Sequence, residues 1–132
     1  GGVFSIWDVI FDDAEMQDAF NDVIRRKDLL AGYESYLCDR YFFRKDQAER
    51  MFREAGFTEV KLIHQVHYLQ STLKRRDAEL GGDPRKLQEL NQYILQRISG
   101  SLRDRMQLKV LGDDIQFVVP NRIMTAIKKR AS

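Results

Sequence analysis

Apolar residues recur along this chain with two periods, and the switches between them mark its elements. Behind Gly1-Gly2, the residues Val3, Phe4, Ile6, Trp7, Val9 and Ile10 form a near-continuous apolar run. A run of that kind predicts a strand over 3–10 buried on both faces. Met16, Phe20, Val23, Ile24 and Leu30 then follow at helical spacing and predict a helix over 14–30. Asp12 and Asp13 stand where an N-cap belongs, and Arg25-Arg26-Lys27 near the far end complements the helix dipole. Gly32 predicts the stop.

The aromatic stretch 33–43 predicts a second helix and a short connection. Over 45–55 the apolar face is Ala48, Met51, Phe52 and Ala55, with Gly56 as the residue that leaves the helix. A second strand is expected over 60–68, where alternation puts Val60, Leu62 and His64 on one face. The stretch 69–80 reads as helix up to Gly81-Gly82. Asp83-Pro84 is a start signal, an N-cap followed by proline at the first helical position. Leu87, Leu90, Tyr93, Ile94 and Ile98 carry that helix to the break at Ser99-Gly100-Ser101. A further helix is expected over 102–111, then a turn at Gly112-Asp113-Asp114. The segment 115–119 is apolar, but Pro120 interrupts it. Because proline cannot donate to a ladder, the last strand is expected after it, over 123–127, with Lys128-Lys129-Arg130 trailing into solvent.

At 132 residues the chain holds at most one domain. Its net charge of +2 is too small to argue for nucleic acid. The lone Cys38 excludes an internal disulfide and a cysteine-based zinc site. It also suits a reducing compartment. No apolar run reaches the ~20 residues of a membrane-spanning helix, so no membrane partner is expected. A cytoplasmic protein is the default expectation.

Three segments, in order, resemble one family. Gly1-Gly2-Val3-Phe4-Ser5-Ile6-Trp7-Asp8 resembles the turn and fifth strand of a class I S-adenosylmethionine-dependent methyltransferase. The stretch 45–60, with its Ala55-Gly56-Phe57, resembles the helix and turn before the family's sixth strand. Arg122-Ile123-Met124-Thr125-Ala126-Ile127-Lys128 resembles its last strand, which runs antiparallel between the fifth and sixth. The resemblance implies an α/β fold, the carboxy-terminal part of a Rossmann-like methyltransferase sheet. It implies three strands, the last antiparallel and central, within one partial domain. Residues 1–69 and 115–132 would form the sheet core with its helices, and 70–114 a helical insertion or lid. The family's glycine-rich cofactor loop and the acidic residue that follows it are missing from this sequence. S-adenosylmethionine is therefore implied for a complete enzyme and not expected to bind this chain alone, which is expected to be inactive in isolation. The apolar start also suggests that an amino-terminal half precedes Gly1.

The same resemblance places Asp8 and Trp7 near the carboxyl end of the first strand, where ligands of open α/β sheets bind. Asp8 is the candidate to orient or deprotonate a nucleophile, or else, with Asp12 and Asp13, simply caps a helix and ends a strand. His64 is the other candidate base, since a neutral imidazole suits proton removal near pH 7. His64 and His67 cannot share a metal ion, because strand residues three apart point to opposite faces. No metal site is expected. Tyr33, Tyr36 and Asn121, with Trp7, are the candidates to contact a small-molecule methyl acceptor. The basic stretch around Lys74-Arg75-Arg76 is interleaved with acidic residues and reads as a solvated helical face.

A second class of function stays open: a non-catalytic α+β binding or oligomerisation module. Its exposed first-strand edge would pair with another chain, through self-association or with the missing half.

Overall fold

The computed structural model describes residues 2–34, 38 and 40–128. The elements run β1 (Gly2–Val9), α1 (Ala14–Leu30), α2 (Lys45–Glu54), β2 (Phe57–Ser71), α3 (Thr72–Glu79), α4 (Pro84–Arg97), α5 (Ser101–Arg105), β3 (Lys109–Leu111) and β4 (Asp114–Lys128).

The helices begin where the capping residues stand. Asp13 accepts the N–H groups of Glu15 and Met16 and starts α1. Asp83 accepts Arg85 N–H, with Pro84 at the first turn of α4. Gly56 takes a φ of 90°, which lets the chain turn sharply from α2 into β2. The stretch 33–43 differs from expectation: its described residues form no helix. Asn21 holds it in another way, with both ends of its amide on Phe42. Its Nδ2 donates to Phe42 O at 3.1 Å and its Oδ1 accepts Phe42 N–H at 2.8 Å. Phe42 thereby seats its ring against Phe20, 5.0 Å away between centroids.

The sheet has the order β1-β4-β2, with β4 antiparallel to both neighbours. β1 and β2 are thus parallel with the last strand between them. β3 pairs with the beginning of β4 in a hairpin, where the sequence suggested only helix. The helix there is a single short turn, α5, which ends at Arg105.

β4 is one continuous strand through Pro120, longer than expected. Val118 N–H donates to Met106 O, and Pro120 O accepts from Ile10 N–H. Both residues face the same edge of β4, so the missing proline N–H falls at the seam between the α5 end and β1. No bond to β2 is lost there.

The buried side of β4 switches at that seam. Ile115, Phe117 and Val119 are buried on one face, Arg122, Met124 and Ala126 on the other. The first set joins Phe11, Phe20, Phe42, Leu90, Ile94, Ile98 and Met106 in the larger core, which α1, α4 and α5 complete. The second set joins Ile10 and Ala48 in a smaller core under α2. Helices α4 and α5 therefore help build the main core.

β1 departs from the reading of a strand buried on both faces. Only Val9 of its residues is buried, and Val3 and Trp7 are 73% and 70% exposed. The physical reason is position: β1 is an edge strand, and α2 covers one of its faces only in part.

Candidate functional site

The cross-strand register sorts the candidate residues by face, because directly opposed residues of paired strands share a face. Trp7 opposes Ile123, which opposes His64. One step along, Val9 opposes Asn121, which opposes Val66. Trp7, His64 and Asn121 thus share the face of the sheet opposite α2. Trp7 and His64 stand two strands apart, about 10 Å between Cα atoms.

His64 reaches this face because β2 is irregular. Its register slips between Leu62 and His64, with Ile63 as the extra residue. Leu62 packs into the core under α2 while His64 turns to the other side, not to the side of Leu62 and Val60 as simple alternation implied.

Asp8 is separated from this group. It opposes Arg122, and Arg122 opposes Gln65, on the α2 face. Asp8 Oδ1 accepts the N–H of Val9 at 2.8 Å, so it caps the strand end. Asp8 and His64, the two candidate bases, point to opposite faces and do not act on one acceptor. Tyr33 lies beyond the end of α1 and lines a hollow with Asp28, Arg40 and Glu79. Tyr36 falls outside the described residues.

On the α2 face the sequence reading passed over a polar cluster. The guanidinium of Arg122 is buried, donates to Asp12 Oδ1 at 2.9 Å and reaches Gln65 Oε1 at 3.0 Å. The hydrogen bond from Arg122 holds the Asp12 carboxyl below its ordinary range, against the opposing effect of burial. A signal for this cluster was present: a lone arginine inside an apolar, β-branched strand needs a partner.

Two further features shape the site. Asn121 has a side-chain oxygen, Oδ1, that is buried with no hydrogen-bond partner among the described residues. On the α2 face, a groove of about 340 Å³ opens beside β1, lined by Phe4, Ile6, Phe43, Met51, Phe52 and Phe57 among others. Its wall is a cluster of tilted rings, with Phe4, Phe52 and Phe57 5.6–5.8 Å apart. No group of three or more possible metal ligands is present among the described residues. None of the described helices is long and apolar enough to cross a membrane.

Two parallel strands with an antiparallel last strand between them form the carboxy-terminal part of a Rossmann-like sheet, and two solved structures share this fold. The chain superposes on YcgJ from Bacillus subtilis with a TM-score of 0.76 at 14% identity. It superposes on BH2331 from Bacillus halodurans C-125, a proposed methyltransferase, with a TM-score of 0.71 at 19% identity. Each match covers 98% of this chain and 52% of the other, so the chain spans about half the length of these structures. At such identities the likeness is one of fold. No protein-family model matches the chain, and no curated protein matches it.

Proposed function

We propose that this chain supplies the methyl-acceptor side of a methyltransferase active site, with a small molecule as acceptor. The observation that carries the reading is the sheet order β1-β4-β2 with its antiparallel centre, in a chain that superposes over 98% of its length on a proposed methyltransferase.

The acceptor would lie on the sheet face that carries Trp7, His64 and Asn121. Trp7 offers an apolar wall, with most of its indole open to solvent. The unpartnered Asn121 Oδ1 offers a hydrogen-bond acceptor for a hydroxyl or amine. His64 is the group placed to take the proton that such a nucleophile releases. Tyr33, in its separate hollow with Asp28, Arg40 and Glu79 beyond α1, is not assigned to the acceptor. Asp8 is assigned a positioning role at the end of β1.

S-adenosylmethionine is the donor that the family resemblance implies, and the described residues of this chain do not fit it. A phosphate- or nucleoside-cradling loop needs glycine between a strand end and a helix start. The connection from β1 to α1 holds no glycine, and β2 runs directly into α3. The reading therefore places the donor on a further half-domain, and the chain by itself should be inactive. A cytoplasmic location is part of the same proposal, in keeping with the buried, unpaired Cys38.

The test joins these 132 residues to whatever the same reading frame encodes on either side. Transfer of labelled methyl to small hydroxyl and amine acceptors is then compared with that of the 132-residue chain. Transfer by the longer protein alone is expected. Within it, His64→Ala should lower kcat and Asn121→Ala should raise KM. Transfer by the short chain, or an adjacent sequence that encodes no glycine-rich loop, defeats the proposal.

A further inference from the structure

β2 is the far strand of the sheet, with β4 between it and β1. Its outer edge is remote from Gly1, and a half-domain that continues the sheet past β1 leaves this edge alone. No strand among the described residues pairs with it. Within a strand, the N–H and C=O of one residue point to one edge, and those of its neighbours to the other. Val118 N–H donates to Met106 O and Pro120 O accepts Ile10 N–H, so Val119, Asn121 and Ile123 turn theirs toward β2. Those three oppose Tyr68, Val66 and His64. Gln65, His67 and Leu69 therefore present their N–H and C=O groups outward.

The side chains of this stretch are as open as its backbone. Ile63, Val66, Tyr68 and Leu69 are 58%, 38%, 45% and 52% exposed, and His64, Gln65 and His67 are exposed as well. An edge strand is ordinarily protected by charges, proline or bulges. Here the run 62–73 holds no charged residue and no proline. Both irregularities of β2 fall before His64, and 64–71 keep unbroken register with β4.

We propose that residues 64–68 of β2 pair antiparallel with the same residues of a second copy of this chain, about a two-fold axis at Val66. Val66 then meets the partner's Val66, Gln65 the partner's His67, and His64 the partner's Tyr68. Ile63 flanks the partner's Leu69. Gln65 and His67 exchange two backbone hydrogen bonds in each of their two pairs. Their side chains also suit each other. Gln65 Oε1 accepts Arg122 Nε–H at 3.0 Å, which leaves the Gln65 amide N–H groups to donate to the partner's His67 ring nitrogen. On the other face, valine meets valine and an imidazole meets a phenol ring. Neighbouring registers set polar groups against apolar ones: an axis at His67 opposes Gln65 to the partner's Leu69, and an axis at Gln65 opposes Ile63 to the partner's His67. Charge agrees with a second copy as the occupant, since Lys61 falls beside the partner's Ser71 and Lys74 lies beyond the paired stretch. The pairing also brings the partner's Tyr68 to the face that carries Trp7, His64 and Asn121.

The test uses these 132 residues together with whatever the same reading frame encodes on either side. Light scattering across a concentration series should show twice the mass of one chain. Val66→Lys puts two ammonium groups face to face at the axis and should return the mass to that of one chain, while circular dichroism checks that the fold persists. Val66→Cys should form a covalent dimer on mild oxidation, because opposed Cα atoms about 4.5 Å apart lie in disulfide range. His67→Cys should not, because the two copies of that position stand about 8–9 Å apart in this register. The parent protein, oxidised alongside, sets the background, and Cys38 is only 3% exposed. A protein that stays single at every concentration overturns the proposal. So does a dimer that survives Val66→Lys, or cross-linking through His67→Cys as ready as through Val66→Cys. If Val66→Lys fails to fold, the pair of cysteine variants still decides the register. Mass and cross-links read this pairing and methyl transfer reads the proposed activity, so either can fail without the other.

Discussion

Ile94→Ala tests whether the helices between β2 and β4 are part of the fold's foundation or a detachable lid. Ile94 is fully buried on α4 and belongs to the same cluster as Phe20 of α1 and Ile115, Phe117 and Val119 of β4. The substitution removes three carbon atoms, worth about 2.4 kcal/mol at ~0.8 kcal/mol each. A cavity term adds to this, because Ile94 already borders a hollow of about 20 Å³ with Val23, Ile24, Leu90 and Phe117, so the site has little means to collapse. The expected loss is about 3–4 kcal/mol, a large part of the ~5–15 kcal/mol that holds a domain together. For a chain of this size that lowers Tm by roughly 10 °C. Urea unfolding followed by far-ultraviolet circular dichroism gives the loss, and hydrogen exchange of the β1 and β4 amides shows where it falls. If the helices and the sheet share one core, both measurements shift together in one transition. A loss below about 1 kcal/mol, or sheet amides that keep their protection while helical signal melts separately, refutes the reasoning.

Asn21→Ala removes both hydrogen bonds that clamp the Phe42 backbone, and should cost about 1–3 kcal/mol in denaturant melts. Lys27→Ala strips the buried ammonium from Asp28 (3.1 Å) and Glu79 (3.0 Å), leaving Asp28 buried with no other salt-bridge partner among the described residues. A loss of about 3–5 kcal/mol is expected, and Lys27→Ala combined with Asp28→Ala should recover part of it. The Arg122 hydrogen bond holds the Asp12 carboxyl below the ordinary carboxylate range, so its folded pKa lies below its unfolded one. Its contribution is then full above the ordinary carboxylate pKa and is lost as pH falls through the depressed value. Thermal melts of Asp12→Asn should sit below the parent at neutral pH, and the gap should close in acid; a gap that is constant with pH removes this account. Gly56→Ala should cost about 1–2 kcal/mol through its φ of 90° alone, because an added Cβ meets only Lys128 Cε at an ordinary 3.9 Å.

Local rules determined much of this protein. α1 lies where its apolar period and the Asp13 cap put it, α4 starts at Asp83-Pro84, and α2 leaves through Gly56, because each depends on residues within a turn of one another. The antiparallel last strand between two parallel ones came from the family resemblance. The pairing partners decided the rest. β1 was read as buried because its pattern says apolar, yet burial depends on what lies beside a strand, and nothing described covers its outer edge. Pro120 interrupts no strand because its missing N–H falls at a seam set by Ile10 and Met106, both distant in sequence. The slip at Ile63 moves His64 to the face of Trp7 and Asn121 and leaves Asp8 behind with Arg122. Alternation along a strand is a local property, but which face each residue serves is set by register with another strand, and register is written only in the tertiary structure.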